Sequence, residues 1–265
     1  MKKNAYLKAG LILSGFMLGL LILGLFWTPF DPNAMNPAEI FSGPSLRHLF
    51  GTDNFGRDIF SRALKGGSTT LLVALCTVLI GVVVGGIVGA LTGYFGGWVD
   101  EALMRINDTL AAFPGILLAL VLISVLGFGR DKMILALGIV FIPSFARITR
   151  SEFARLREMN YVQSARLMGA SHGRIMFRHI LPNTFPALLP AMIIGFNNAV
   201  LAEAGMSFLN IGVQPPESSL GYMLSDSQSY ITLAPWYMLC VGGMIVLLIL
   251  GVGLLGEGLQ RAYKE

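Results

Sequence analysis

RITRSEFARLREMNYVQSARLMGASHGRIMFRHILPN, residues 147–183, carries seven arginines and two glutamates. It stands between the uncharged run Met133–Ala146 and the run Phe185–Met206, whose only charge is Glu203. The whole 265-residue chain is 54% hydrophobic and only 13% charged. A soluble domain carries about 25% charged residues, so a water-soluble surface could not be covered. Disorder is excluded by the same composition, since it needs low hydrophobicity and high net charge. The chain reads as an all-α integral membrane protein, and residues 147–183 as its largest excursion into water.

Working outward, a helix needs about 20 apolar residues to cross the hydrocarbon core. Ala9–Phe30 meets that length, and no A-x-A site follows to mark it as a cleaved leader. Thr69–Gly93 gives a second span, and Thr109–Gly129 a third, extended by a more polar helix from Asp100 and kinked near Pro114. Met133–Ala146 is short for a fourth and spans only if Lys132 and Arg147 snorkel to the interfaces. Phe185–Met206 and Leu233–Gly256 complete six predicted transmembrane helices. Residues 1–68 form a first helix with an outer segment, and 69–265 a five-helix core whose polar loop covers about 147–184.

An even count puts both termini on one side. With them in the cytoplasm, inner segments hold 13 Lys and Arg and outer segments hold 6. The positive-inside rule favours that orientation. The net charge of +4 is therefore a topology signal, and no nucleic-acid partner is expected. Gly81, Gly85, Gly89, Gly93 and Gly97 recur every four residues, which makes a groove for close helix approach. Whether that groove is static packing or a moving contact is left open by the residues. Cys76 and Cys240 show no disulfide or zinc pattern. His48, His172 and His179 lie far apart, and Asp53 with Asp58 lacks calcium-loop spacing, so no metal site is expected.

Within the polar loop, glutamates and arginines at three- and four-residue spacing support a helix. Gly169 offers a helix stop and Ser171 an N-cap for a helix over His172–His179. Pro182 ends or kinks that helix. The expected object is a helix–turn–helix elbow tied to two membrane helices, able to pass a partner's push into the bilayer.

Here the pattern becomes specific. Gln163-Ser164-Ala165, then Gly169 and Ala170, then Leu181-Pro182 resembles the Glu-Ala-Ala loop of binding-protein-dependent ABC importer permeases. Gln163, Ser164 and His179 replace the usual Glu, Ala and Ile. HLFGTDNFGRDIFSRALKGGSTTL (48–71) and EAGMSFLNIGVQPPESSLG (203–221) resemble stretches of one branch, the dipeptide, oligopeptide and nickel permeases. There Asn210 stands where Gly is usual and Leu220 where Trp is common. The resemblance covers most of the chain after about residue 45. It implies a type I importer permease fold in a bacterial cytoplasmic membrane, its elbow lying between helices 4 and 5. Implied partners are a second permease, two cytoplasmic ATPases and an extracytoplasmic solute-binding protein. Gln163, Ser164, Ala165, Gly169, Ala170, Leu181 and Pro182 would then couple to an ATPase. ATP and Mg would bind those partners, with no cofactor on this chain, which lacks a G-x-x-x-x-G-K-[ST] loop. The implied cargo is a peptide, with nickel or a metal–chelator complex as the alternative.

Glu203 is the one acid within a predicted span, and buried charge in lipid defaults to function. It either makes a structural or gating bond or lines the path. Asn197, Asn198 and Met206 are the other path or gate candidates. Arg57 and Asp58 either contact a binding protein or tie their own segment together. A self-sufficient channel or ion-coupled transporter is the rival class; a membrane enzyme lacks any usable catalytic constellation.

Overall fold

The computed structural model describes residues 3–263. Lys2 and Lys264, which contribute to the inner charge excess, lie outside them. The helices are α1 (Lys3–Phe26), α2 (Ile59–Phe95), α3 (Gly97–Ala111), α4 (Gly115–Leu126), α5 (Arg130–Arg157) and α6 (Asn160–Leu167). A short α7 (His172–Arg174) runs through a π-helical turn, Ile175–Ile180, into α8 (Leu181–Phe208). α9 (Leu220–Gln228) and α10 (Pro235–Tyr263) complete the order. Among the described residues five stretches are long and apolar enough to cross a membrane, and six if the bent pair α3–α4 counts as one span.

That pair is the third expected span, and the kink expected near Pro114 is a sharp break. α3 and α4 meet at 89° across the break before Gly115. Pro114 has no N–H to continue the ladder, so the chain turns there instead of curving gently. α4 alone, 12 residues, measures about 18 Å at 1.5 Å per residue, short of a hydrocarbon core of about 30 Å. The fourth expected span falls short. α5 has 28 residues and runs straight through Arg147 and Arg150, where the uncharged-run criterion stopped. Arg150 makes two 2.6 Å bonds to the Asp100 carboxylate, and Arg147 bonds Asp108 at 2.8 Å. Both acids sit on α3, 39 and 50 residues away in sequence. α2 likewise starts at Ile59, ten residues before the expected Thr69, carrying Arg62 and Lys65 in helix. The division placed at residue 68 thus falls inside α2.

Two compact units are distinguished. One comprises Met1–Leu75, Ile123–Ile134 and Asn197–Glu265. Within it α1 lies against α10 through glycine. A Cβ on Gly251 would meet the Ser14 nitrogen at 2.8 Å, and one on Gly258 the Leu7 Cα at 2.7 Å. Backbones this close maximise dispersion contact where no hydrophobic force separates helix from lipid. The segment between α1 and α2 is held by its own hydrogen bonds: Thr52 N donates to Ser42 O, Asn36 N to Phe55 O and Asp53 N to Arg57 O.

The other unit comprises Cys76–Leu122 and Leu135–Phe196. Here the glycine stripe finds its partner. A Cβ on Gly81, Gly85, Gly89 or Gly93 would come within 3.0 Å of α5 atoms, in turn Phe141, Ile142, Ala146 and Arg150. Gly97 leaves the stripe: it opens α3 with nothing near its missing Cβ. From Gly85 to Gly93 each step of four residues on α2 therefore matches a step of four on α5, a ridge of one helix filling the groove of the other.

Candidate functional site

The elbow begins after Arg157, eleven residues later than the polar stretch suggests. α6 carries Val162 and Ala165 inward, both buried, and sets Gln163 and Ser164 outward. It ends in a Schellman motif. Ala170 N donates to Ala165 O at 3.1 Å, Gly169 N to Arg166 O at 3.0 Å, and Gly169 takes φ +83°. Only a residue tolerant of the left-handed region closes this motif cheaply. Ser171 then caps α7, its Oγ accepting from Arg174 N. Val162, Ile175, Met176 and Ile180 of the elbow join Tyr94, Phe153 and Leu156 in one core, with Ala170 packed on it.

Outside that core, the tip is apolar and bare. Leu167 is 89% and Met168 80% exposed. The departure at Gln163 has a local use: its Nε2 donates to the Glu158 carbonyl at 3.2 Å, which a carboxylate could not do. Sequence reasoning passed over a second tie. Tyr94, near the end of α2, meets His172 Nδ1 at 2.8 Å, and Arg157 Nη1 donates to the Tyr94 carbonyl at 3.0 Å. Only proximity in the fold joins those three residues, so no spacing could have pointed to them.

Of the two effects expected of Pro182, ending the helix is ruled out: helix continues through it. Leu181 N donates back to Met176 O, closing the π turn one residue before the proline. Pro182, Pro186 and Pro190 then recur every four residues in α8. Each withholds one i→i−4 bond, from the carbonyls of Arg178, Pro182 and Pro186. Leu181 lines an apolar cavity of about 400 Å³ with Phe153, Met176, Phe177 and Phe185.

Glu203 is a tie point. Its Oε2 accepts from Thr70 Oγ1 at 2.8 Å and its Oε1 from Ser207 Oγ at 2.7 Å. Thr70 Oγ1 in turn accepts from Leu220 N, and Ser207 Oγ from Val213 N. One carboxyl thus fixes α2, α8, the loop after α8 and the start of α9. Met206 is buried beside it, Asn198 is exposed, and Asn197 Nδ2 donates to Ile249 O at 3.2 Å. Asn210, in the usual Gly place, has φ +59°, a conformation Asn tolerates better than other side chains.

Arg57 and Asp58 tie their own segment. Arg57 Nε bonds the buried Asp53 at 2.6 Å; Asp58 holds His48 Nδ1 at 2.8 Å and the Ser61 amide at 2.7 Å. Among the described residues no three of His, Cys, Asp and Glu are placed to hold a metal ion.

Residues 81–265 match the family described as binding-protein-dependent transport system inner membrane component. The chain is 38% identical to a dipeptide transport system permease protein of Alkalihalophilus pseudofirmus, over 99% of this chain and 86% of that one. It is 42% identical to a glutathione transport system permease protein of Salmonella paratyphi A, over 95% and 84% respectively. Among solved structures it resembles the inward-facing MetNI methionine ABC transporter, with TM-score 0.60 and 21% identity over 77% of this chain and 97% of that one. It also resembles an amino acid ABC transporter solved with histidines, with TM-score 0.58 and 17% identity over 76% and 93%. At such identities the two structures speak for the fold.

Proposed function

The chain belongs to the inner membrane components of binding-protein-dependent transport systems, and from that premise we propose that it moves short peptides into the cell. It is a multi-pass permease subunit with a type I importer fold, and the family's ATP hydrolysis resides in separate subunits. The peptide reading rests on the relatives named for dipeptides and glutathione. Family membership implies a partner permease, ATPases and a binding protein in general terms. In our reading this chain pairs with one homologous permease, with two ATPases that hold ATP and Mg, and with an extracytoplasmic receptor. Both termini and the elbow face the cytoplasm.

The observation that carries the mechanism is the bare apolar tip, Leu167 and Met168, on a capped and rigid elbow. An exposed apolar patch rimmed by polar groups marks a protein contact. We place an ATPase groove over it, with Gln163, Ser164 and Gly169 at its edge. Ala165 and Ala170 keep the elbow rigid from inside. A push on the tip passes through the shared core into α5 and along the π turn, Leu181 and Pro182 into α8. The missing proline bonds give α8 a place to bend. Asn198, exposed on α8, is our candidate for the path, with Asn197 beside it. Glu203 and Met206 hold the gate region through the bonds and burial described above.

The test is uptake by the four-subunit complex in proteoliposomes, with its binding protein outside and ATP inside. ATP-dependent accumulation of a di- or tripeptide supports the reading. Uptake of a nickel chelate with none of peptide overturns the cargo, and uptake by this chain alone without ATPases overturns the whole scheme.

A further inference from the structure

Away from the elbow, one cavity combines charge of both signs with apolar walls. It has a volume of about 510 Å³, and its lining includes Phe55, Arg57, Arg62, Pro216, Tyr222 and Asp226. All belong to one compact unit. The volume falls within the range of about 300–1,000 Å³ usual for small-molecule sites.

The charges are unevenly matched. Asp53, fully buried, serves two cations: Arg57 Nε at 2.6 Å and Arg62 Nε at 3.5 Å. Arg62 also donates to Pro32 O at 3.2 Å. Asp53 further accepts from the Phe55 and Arg57 amides, so both its oxygens are engaged. The other nearby acids are committed: Asp58 to His48, Glu217 to Arg130 at 3.0 Å. One wall therefore carries a surplus positive charge. Arg57 is bound through Nε, and its guanidinium stacks 4.6 Å over the Phe55 ring. Its terminal nitrogens have no hydrogen bond among the described residues. Asp226 supplies the opposite sign. Its Oδ2 accepts one bond, from the Tyr237 hydroxyl at 3.1 Å, and it makes no ion pair among the described residues.

We propose that this cavity is a docking site for a short peptide in its zwitterionic form, with the α-carboxylate on Arg57 and Arg62 and the α-ammonium on Asp226. A guanidinium fork matches a carboxylate in shape and charge. A zwitterion satisfies both walls at once and leaves the site electroneutral, which a simple anion or cation does not. Phe55, Pro216 and Tyr222 offer apolar surface to the side chains between the two ends. The inference rests on the peptide reading above and on the orientation that puts the segment between α1 and α2 on the receptor side. It adds that the permease itself, and not the receptor alone, reads the charged ends of the cargo.

The experiment uses the complete transporter in nanodiscs without its binding protein. The probes are radiolabelled trialanine and its N-acetyl and C-amide derivatives. Wild type should bind trialanine at least tenfold more tightly than either blocked form. Asp226→Asn keeps an acceptor for Tyr237 and should lower trialanine affinity about tenfold while leaving the N-acetyl form unchanged. Met35→Trp, which fills the cavity from its rim, should abolish binding without touching a charge. A complex that transports trialanine with its receptor but binds none in nanodiscs overturns the docking site alone. So does an Asp226→Asn loss that is equal for free and N-acetyl peptide, or a variant whose defect appears only in cross-linking to the receptor. A complex that transports no peptide at all overturns the proposed cargo, and the docking site with it.

Discussion

Gly169 allows backbone strain and partner contact to be separated. Its φ of +83° lies in the left-handed region, and nothing stands within 4 Å of the position a Cβ would take. A side chain there costs conformation and almost nothing in packing. Asn tolerates the region, so Gly169→Asn should cost a few tenths of a kcal/mol at most. Gly169→Ala should cost about 1 kcal/mol, lowering Tm by about 2–4 °C for a protein of this size. Gly169→Arg carries the same backbone cost, well below a typical total stability of about 5–15 kcal/mol, so the elbow still folds. Any deficit of Arg beyond Ala must come from the surface the side chain reaches into. The assay is ATP hydrolysis and peptide uptake measured together in proteoliposomes. Asn should match wild type, and Ala should stay coupled. Arg should insert normally yet lose at least tenfold in peptide taken up per ATP hydrolysed. If Arg transports as well as Ala, the elbow's turn does not face the ATPase and the placement of the coupling contact is wrong.

Substitutions at Gly86, Gly89, Glu203 and Asp226 probe the rest of the scaffold. Gly89→Leu should destabilise by about 3 kcal/mol or more through overpacking against α5, while Gly86→Leu, with open space around it, should leave Tm unchanged; equal effects would deny the α2–α5 groove. Glu203→Gln should retain folding and uptake, whereas Glu203→Leu should lose about 2–3 kcal/mol by leaving Thr70 and Ser207 without their acceptor; thermal melts in detergent distinguish the two. Burial pushes the Asp226 carboxyl above the ordinary carboxylate range, partly offset by the Tyr237 bond. The native state then holds its proton more tightly than the unfolded chain. Stability from this group is greatest at low pH and is lost as pH rises through the native pKa. Asp226→Asn should flatten that fall in a Tm series from acid to neutral pH, and an unchanged slope would assign it to another group.

The sequence told where charge is absent, and so it located most membrane helices. It was less informative where charge is present. The ends of α2 and α5 were misplaced because the charges at Lys65 and Arg147 looked like boundaries, whereas the helices run on and carry Arg62, Arg147 and Arg150. Their partners, Asp53, Asp100 and Asp108, come from other segments of the chain, so local reading had no access to them. Gly169 and Ser171 were legible because caps are local devices, written within four residues. That Pro182 does not end its helix was not legible for the converse reason: a preceding π turn lets the helix pass it, and nothing in the residues announces that turn. The glycine stripe showed that something packs closely but not that α5 does. At Glu203 the burial cost was evident from sequence; of its donors Thr70 and Ser207, only Ser207, four residues on, lay within reach of a helical reading. Thr70, 133 residues away, did not. The tie between Tyr94 and His172 had no signal at all, being made entirely by the fold.

The coupling role of the elbow is open to a direct chemical measurement. Single cysteines at Leu167 and at Ile175 would be oxidised against a cysteine in the groove of the partner ATPase, in the assembled complex. Leu167 is 89% exposed and Ile175 fully buried. Cross-linking should form at Leu167 and not at Ile175, and should stop both peptide uptake and its ATP hydrolysis until reductant is added. Failure to cross-link from Leu167 or from the neighbouring Met168 in a complex that still transports would place the ATPase contact elsewhere on the chain.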